Sequence, residues 1–178
     1  MTTLTKRIIV TAVLMTASAF AAFAYGGGGF FQATQMSFPT YSNIGNVAEV
    51  NGGYGYGASR DGARYGGFGL AVTDPATESL MGAFGGVISG RQMRTGPFTL
   101  SLNVWGGVGY VDPSYAAVPA SVGFFTEASA EAGFAILPWM QLSVYGGYQA
   151  IGPFDPALLF TGTRYAPVVG SRLTWGSF

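Results

Sequence analysis

Two glutamates, Glu127 and Glu131, are the residues whose type and spacing first suggest chemistry. They lie in a segment where apolar residues alternate with small or polar ones, so both face one side of a β-strand. At a rise of about 3.3 Å per residue, the two positions stand about 13 Å apart along the strand. Glycosidases need a carboxyl separation of about 5 to 9.5 Å. The pair is therefore too widely spaced to act as a general acid and base.

Carboxylates that face an interior need cationic partners, because an unpaired buried charge is costly. The sequence offers four arginines as candidate partners, namely Arg64, Arg91, Arg94 and Arg172. We predict a charge network in the interior of the protein, here called the lumenal charge network, that contains Glu127, Glu131, Arg64 and Arg172. The alternative is that the same charges form a gate or a selectivity element.

Other catalytic chemistry is excluded by composition, since the chain contains no histidine and no cysteine. Ser-His-Asp and Cys-His arrangements, histidine metal sites and thiol nucleophiles are therefore impossible. Glycine-rich segments such as 52–57 and 105–110 are not followed by a helix, as a phosphate-binding loop would require. We predict that the protein is not an enzyme and has no catalytic, cofactor-binding or metal site.

The first 24 residues differ in character from the rest of the chain. Lys6 and Arg7 precede an apolar run from Ile8 to Ala19, and Ala22-Phe23-Ala24 has the small-x-small form of a cleavage site. We predict a signal peptide over residues 1–24 and one domain over residues 25–178. Removing Lys6 and Arg7 from the eight basic residues leaves six against eight acidic ones. With so mild a charge and no basic cluster, nucleic acid is not an expected partner.

The stretch from Ser121 to Ile151 shows the clearest structural pattern. Apolar residues occupy every second position before and after the turn at Leu137-Pro138-Trp139, which predicts a long antiparallel hairpin. Similar alternation elsewhere gives eight strands joined by connections that alternate between long and short. That alternation favours an eight-stranded antiparallel up-and-down transmembrane β-barrel, with apolar stretches of about ten residues per strand. Aromatic residues near strand ends are expected to cover glycine backbone or form interfacial girdles; they are Tyr54, Tyr56, Tyr110, Trp139, Tyr148 and Trp175.

In pattern, the export signal, the eight alternating strands and the terminal Phe178 resemble the small outer-membrane barrels of the OmpA-, OmpX- and OmpW-like group. The resemblance implies residence in the cell outer membrane, with outer-membrane lipid and the barrel-assembly machinery as partners. It also implies that Phe178 is the assembly signal. In that group, apolar residues precede the terminal aromatic residue on the same face of the strand. Here Arg172, Thr174 and Gly176 occupy that face instead, so we expect a β-bulge near Gly176 to restore the pattern.

Function is therefore expected to reside in the barrel and its external loops. The leading hypothesis is a non-enzymatic outer-membrane protein, either structural or a narrow conduit for small or hydrophobic molecules. One loop carries apolar residues that could contact a partner, and these are Phe154, Leu158, Leu159 and Phe160. The alternatives are a secreted, lipocalin-like barrel that binds a hydrophobic ligand and a surface adhesin or recognition barrel. In a lipocalin the apolar face of each strand would point inward and the charged face outward.

Overall fold

A computed structural model of the protein describes residues 26–35, 47–74, 79–111, 121–154 and 163–176. The predicted signal peptide, the predicted assembly signal Phe178 and three residues of the predicted contact loop (Leu158, Leu159 and Phe160) lie outside these ranges. The strands are β1 (Gly26–Gln35), β2 (Val47–Ala58), β3 (Ala63–Asp74), β4 (Ser79–Thr95), β5 (Phe98–Val111), β6 (Ser121–Leu137), β7 (Met140–Pro153) and β8 (Arg164–Gly176). Within the described ranges, no helix has the length and hydropathy needed to cross a membrane.

Every strand pairs antiparallel with its neighbour in the chain, and β1 also pairs with β8, so that the ladder closes on itself. The prediction of an all-β, antiparallel up-and-down sheet is confirmed. Short turns at residues 59–62, 96–97 and 138–139 join strands at one end of the sheet, which we name the turn end. The connections at residues 36–46, 75–78, 112–120 and 155–162 leave from the opposite end, which we name the loop end.

Some strand limits differ from those that the sequence suggests. The run Gly26 to Gly29, whose composition alone suggests a flexible segment, belongs to β1 and pairs with both β2 and β8. The expected bulge near Gly176 does not occur within β8, whose pairing with β7 runs without a register shift from Arg164 to Trp175. Register shifts lie instead between Val72 and Thr73 and between Ala135 and Leu137.

The turns use glycine where the backbone requires it. Gly62 and Gly96 have φ angles of 86° and 59°, a left-handed region that L side chains rarely adopt. In the first turn, the Ser59 hydroxyl donates a hydrogen bond to the Asp61 carboxylate. This hydrogen bond lowers the pKa of Asp61, because it stabilises the charged form. The Asp-Gly turn predicted at residues 61 and 62 is therefore present.

The face of the sheet that carries the apolar side chains differs between the strands. In β5, β6 and β7 apolar side chains point outward and polar ones inward, as the alternation predicts. In β2, β3 and β4 most large apolar side chains point inward. Small residues dominate the outer face of β2 and β3, apart from Tyr65, whereas the outer face of β4 is mixed and includes Val87 and Met93. The inward set is buried and comprises Val50, Tyr54, Tyr56, Phe68, Leu70, Val72, Phe84 and Ile88. The girdle role expected for Tyr54 and Tyr56 is thus wrong, since both rings lie in the interior.

Inward-facing glycines let neighbouring strands approach each other closely. A Cβ atom on Gly109 would overlap the carbonyl oxygen of Ala83 on β4. The outward-facing Gly106, three positions away in β5, has no atom within 4 Å of the place its Cβ would occupy.

We expect Gly109→Ala to lower the free energy of unfolding by about 1 to 3 kcal/mol, because the strands must separate to admit the methyl group. The matched change Gly106→Ala should be neutral or stabilise the fold by up to about 1 kcal/mol, since it restricts only the unfolded chain. Urea unfolding of both variants measures the difference. Equal losses at the two positions would contradict the assigned faces.

Candidate functional site

The four charged residues of the predicted network converge in the interior, from three strands. Arg64 lies at the turn end of β3, Glu127 and Glu131 lie on β6, and Arg172 lies on β8. All four are at most 3% exposed. Each occupies an inward-facing position of its strand, so the period-2 geometry aims all four side chains at the same space.

Arg172 connects the two glutamates. Its Nη1 donates a hydrogen bond of 2.7 Å to Glu131 Oε2, and its Nη2 donates one of 3.2 Å to Glu127 Oε1. Both carboxylates therefore converge on a single guanidinium and lie closer together than the spacing of their positions along the strand suggests. The spacing alone does not exclude a hydrolytic pair. Charge-assisted hydrogen bonds of this kind are stronger than neutral ones.

Arg64 supplies the second cation. Its Nη1 donates a 2.9 Å hydrogen bond to Ser101 Oγ and lies 3.9 Å from Glu131 Oε2. The guanidinium carbon also stands 3.8 Å from the centre of the Tyr56 ring, in a cation–π arrangement. With two arginines and two glutamates, the four-residue charge cluster (Arg64, Glu127, Glu131 and Arg172) has no net formal charge.

Glu131 is the centre of the hydrogen bonding. Ser143 Oγ donates a 2.7 Å hydrogen bond to Oε1, and Asn103 Nδ2 donates one of 3.1 Å to Oε2. These bonds add to the contacts from Arg172 and Arg64, so both carboxylate oxygens accept from donors on several strands. A buried carboxylate satisfied in this way fixes the positions of the strands around it.

An aromatic wall surrounds the Arg172 guanidinium. Its carbon lies 3.7 Å from the centre of the Tyr145 ring, 4.6 Å from that of Trp105 and 6.0 Å from that of Tyr54. The Trp105 and Tyr54 rings meet edge to face, with centroids 5.8 Å apart. These rings exclude water from the guanidinium and present their π faces to it. The lower local dielectric strengthens the attraction between the guanidinium and the two carboxylates.

Towards the loop end, the interior becomes apolar. Phe68 packs against Trp105 at 5.0 Å between ring centroids and against Phe125 at 5.6 Å, and Phe84 packs against Phe125 at 5.8 Å. Leu70 and Val50 are buried in the same cluster. The described interior thus has a polar half at the turn end and an apolar half at the loop end, and Trp105 lies between them.

The other residues singled out from the sequence lie elsewhere. Arg91 and Arg94, offered as alternative partners for the glutamates, are exposed at the turn end and do not join the cluster. Phe154 is about half exposed and packs against Phe124, with ring centroids 5.8 Å apart. Sequence reasoning missed Ser101, Asn103 and Ser143, although their inward parity on β5 and β7 is visible in the alternation.

This geometry favours cross-linking of strands over chemistry on a substrate. The carboxylates are saturated with donors and buried beneath aromatic rings. No group of three or more His, Cys, Asp or Glu side chains that could hold a metal occurs in the described part of the chain. Comparison of the sequence with protein-family models and with curated proteins finds no match.

Proposed function

We propose that this protein is a non-enzymatic, eight-stranded β-barrel of the outer membrane, with a structural role and an interior closed by its own side chains. The observation that carries this proposal is the distribution of polarity between the faces of β5 to β8. Outward-facing Leu102, Val144 and Val169 are 63%, 63% and 65% exposed, whereas the inward-facing cluster carries four charges. Such an arrangement is stable when lipid lies outside.

Exposed aromatic side chains lie near both ends of the outer face, and aliphatic ones such as Leu102 and Val144 lie between them. Near the turn end the aromatic residues are Phe98, Phe134, Trp139 and Trp175, and near the loop end they are Tyr148, Phe154 and Tyr165. On β5, Tyr110 lies twelve positions after Phe98. At about 3.4 Å per residue and a tilt of about 40°, they span roughly 30 Å, the thickness of a bilayer core. The spacing supports interfacial girdles.

The export signal predicted at residues 1–24 and the resemblance to small outer-membrane barrels support the same location. On this proposal, the turn end faces the periplasm and the loop end faces outward. Outer-membrane lipid and the barrel-assembly machinery are the expected partners, and the external loops remain available for recognition. A lipocalin-like, secreted barrel is disfavoured because its strands would turn their apolar faces inward throughout, opposite to the pattern of β5 to β7.

A second candidate is a narrow conduit for small hydrophobic molecules. It is favoured by the apolar half of the interior, where Phe68, Phe84 and Phe125 lie between the loop end and Trp105. An eight-stranded barrel is only wide enough for its own side chains to fill, so passage would require these rings to move.

Membrane fractionation combined with heat-modifiable gel mobility tests the leading proposal. The full chain, expressed with its predicted signal, should enter the outer-membrane fraction and migrate differently before and after boiling. Recovery in the soluble periplasmic fraction, with mobility unaffected by boiling, would contradict it.

We further expect no steady, porin-like conductance from the purified protein in planar bilayers, because the charge cluster and Trp105 fill the interior. Replacing both Glu127 and Glu131 with glutamine should raise leakage, since it removes the charges that hold Arg172 in place. A variant with Arg94→Gln, which alters an exposed arginine outside the cluster, is the control. Steady conductance from the unmodified protein would show that the interior is open.

A further inference from the structure

Arg91 is an unusual residue on the outer face. Among the outward-facing side chains that the structure describes in the strands, Glu49 near the loop end and Arg91 near the turn end are the charged ones. Arg91 is exposed and donates one long hydrogen bond, 3.4 Å, to the backbone oxygen of Asp61. No carboxylate of the described residues lies within ion-pair distance of its guanidinium. An exposed cation thus borders an apolar wall, and Asp61 in the adjoining turn is the acidic residue that interacts with it electrostatically.

A groove runs from Arg91 across the outer face of strands β4 to β7, which we call the outer wall. Cross-strand pairing places Arg91 opposite Leu102, Leu102 opposite Ala130, and Ala130 opposite Gly146. A second row lies beside the first and consists of Ser89, Val104, Ala128 and Tyr148. All eight residues line the groove. Its floor is made of small residues on β6 and β7, while Leu102, Val104 and Tyr148 form higher sides.

The groove runs from the turn end past the middle of the outer face. Arg91 is four positions from Thr95, where β4 ends, whereas Tyr148 is eight positions from Met140, where β7 begins. One end is therefore near the level of the turns and carries the positive charge. The other end lies at Tyr148, in the half of the outer face nearer the loop end.

The surroundings of Arg91 add to the positive charge. Arg60 and Arg94 are also exposed at the turn end, and Asp61 is the acidic residue described there. Three arginines against one aspartate make this rim basic. A basic rim at the head of an apolar groove complements a molecule with an anionic head and a hydrocarbon tail.

We infer that this surface binds an anionic glycerophospholipid from the periplasmic leaflet, with the phosphate at Arg91 and one acyl chain in the groove. The inference rests on the proposed function, which places the turn end at the periplasmic side. A second copy of the chain fits less well. It would cover the Arg91 guanidinium with an outer face whose described strand side chains include one acidic residue, Glu49, at the opposite end.

The test compares binding of phosphatidylglycerol and phosphatidylcholine to the folded protein by native mass spectrometry in a neutral detergent. The unmodified protein should retain phosphatidylglycerol preferentially. Changing Arg91 to glutamine should weaken that binding about fivefold, because a basic residue near an anionic headgroup attracts it. The matched control is Arg164→Gln, at the loop end where β8 begins, and it should leave binding unchanged.

Two glycine variants test the groove separately from the charges. Gly146→Leu should displace the acyl chain, and its Cβ meets only the backbone oxygen of Val168, at an ordinary distance of 3.7 Å. Gly106→Leu places the same side chain on open outer wall beyond the groove lining and should not affect lipid binding.

This experiment distinguishes a failure of the outer-membrane assignment from a failure of the lipid site. Heat-modifiable mobility in phosphatidylcholine vesicles first establishes that each variant folds and inserts. Failure of the unmodified protein to insert would overturn the outer-membrane assignment and the lipid site with it. Insertion with equal retention of both lipids, or with phosphatidylglycerol binding unaffected by Arg91→Gln, would overturn the lipid site alone.

Discussion

Replacing Arg172 with methionine should lower the free energy of unfolding by about 3 to 5 kcal/mol, the range seen when one partner of a buried ion pair is removed. The change deprives Glu127 and Glu131 of their shared guanidinium and leaves Arg64, 3.9 Å from Glu131, as the remaining cation of the cluster. It also removes the cation that the Tyr145 and Trp105 rings surround. Urea unfolding in detergent or vesicles, followed by tryptophan fluorescence, measures the loss.

Two further variants show whether the loss comes from uncompensated charge. Combining Arg172→Met with Glu127→Gln and Glu131→Gln removes the ion pairs altogether, so part of the lost stability should return. Arg94→Met changes an exposed arginine at the turn end and should cost less than about 0.5 kcal/mol. A loss below about 1 kcal/mol for Arg172→Met would mean that the cluster does not hold the strands together.

Guanidinium ions at low concentration provide a second test at the same position, with alanine in place of Arg172. The space vacated by the Arg172 side chain would be bordered by two carboxylates and an aromatic wall, which favours a small planar cation. We expect added guanidinium to restore part of the stability of an Arg172→Ala variant below the concentration at which it denatures. Sodium at equal ionic strength should not, because it lacks the N–H donors.

The change Val169→Arg should cost about 2 to 4 kcal/mol, because Val169 lies near the middle of β8 on the proposed lipid-facing side. Its side chain is 65% exposed, so the cost would come from lipid rather than from protein packing. In a soluble barrel the same exposed position should tolerate arginine within about 0.5 kcal/mol. Reversible folding into phosphatidylcholine vesicles, monitored across a urea series, separates the two outcomes.

A residue at a different depth in the bilayer provides the control for this prediction. Ile136 is also an exposed, β-branched residue, but it lies beside the turn that ends β6. Ile136→Arg should cost only about 0 to 1 kcal/mol, since a long cationic side chain at the interface can reach water. Equal costs at Val169 and Ile136 would count against a bilayer around the wall.

The sequence predicts β5, β6 and β7 well, because in these strands each residue's polarity matches the face it occupies. Leu102 and Val144 point outward and Glu127 and Glu131 inward, as the alternation indicates. The pattern is less informative in β2 and β3, where large side chains such as Phe68 and Leu70 point inward and glycines occupy many outer positions. Where large residues alternate with glycine, the sequence shows the two-residue period of a strand. It does not show which face points into the interior, because glycine is compatible with either face.

The charge cluster could be predicted only in part for a related reason. Parity places Glu127 and Glu131 on one face of β6, but the choice among four arginines depends on which strands face each other across the interior. Arg91 has outward parity on β4, and cross-strand pairing sets it opposite the outward-facing Leu102. Arg172 faces inward from β8, two strands from β6, where its side chain can reach both glutamates.

The most direct test of a lipid-facing outer wall is a nitroxide scan along β5. The chain contains no cysteine, so single cysteines at outward positions 100, 102, 104, 106 and 108 can each carry one spin label. In phosphatidylcholine vesicles, we predict that accessibility to oxygen is highest and accessibility to a water-soluble nickel complex is lowest near Val104, with the reverse at a label in the turn at Asp61. If the nickel complex reaches Val104 as readily as Asp61, the outer wall lies in water and the membrane assignment is wrong.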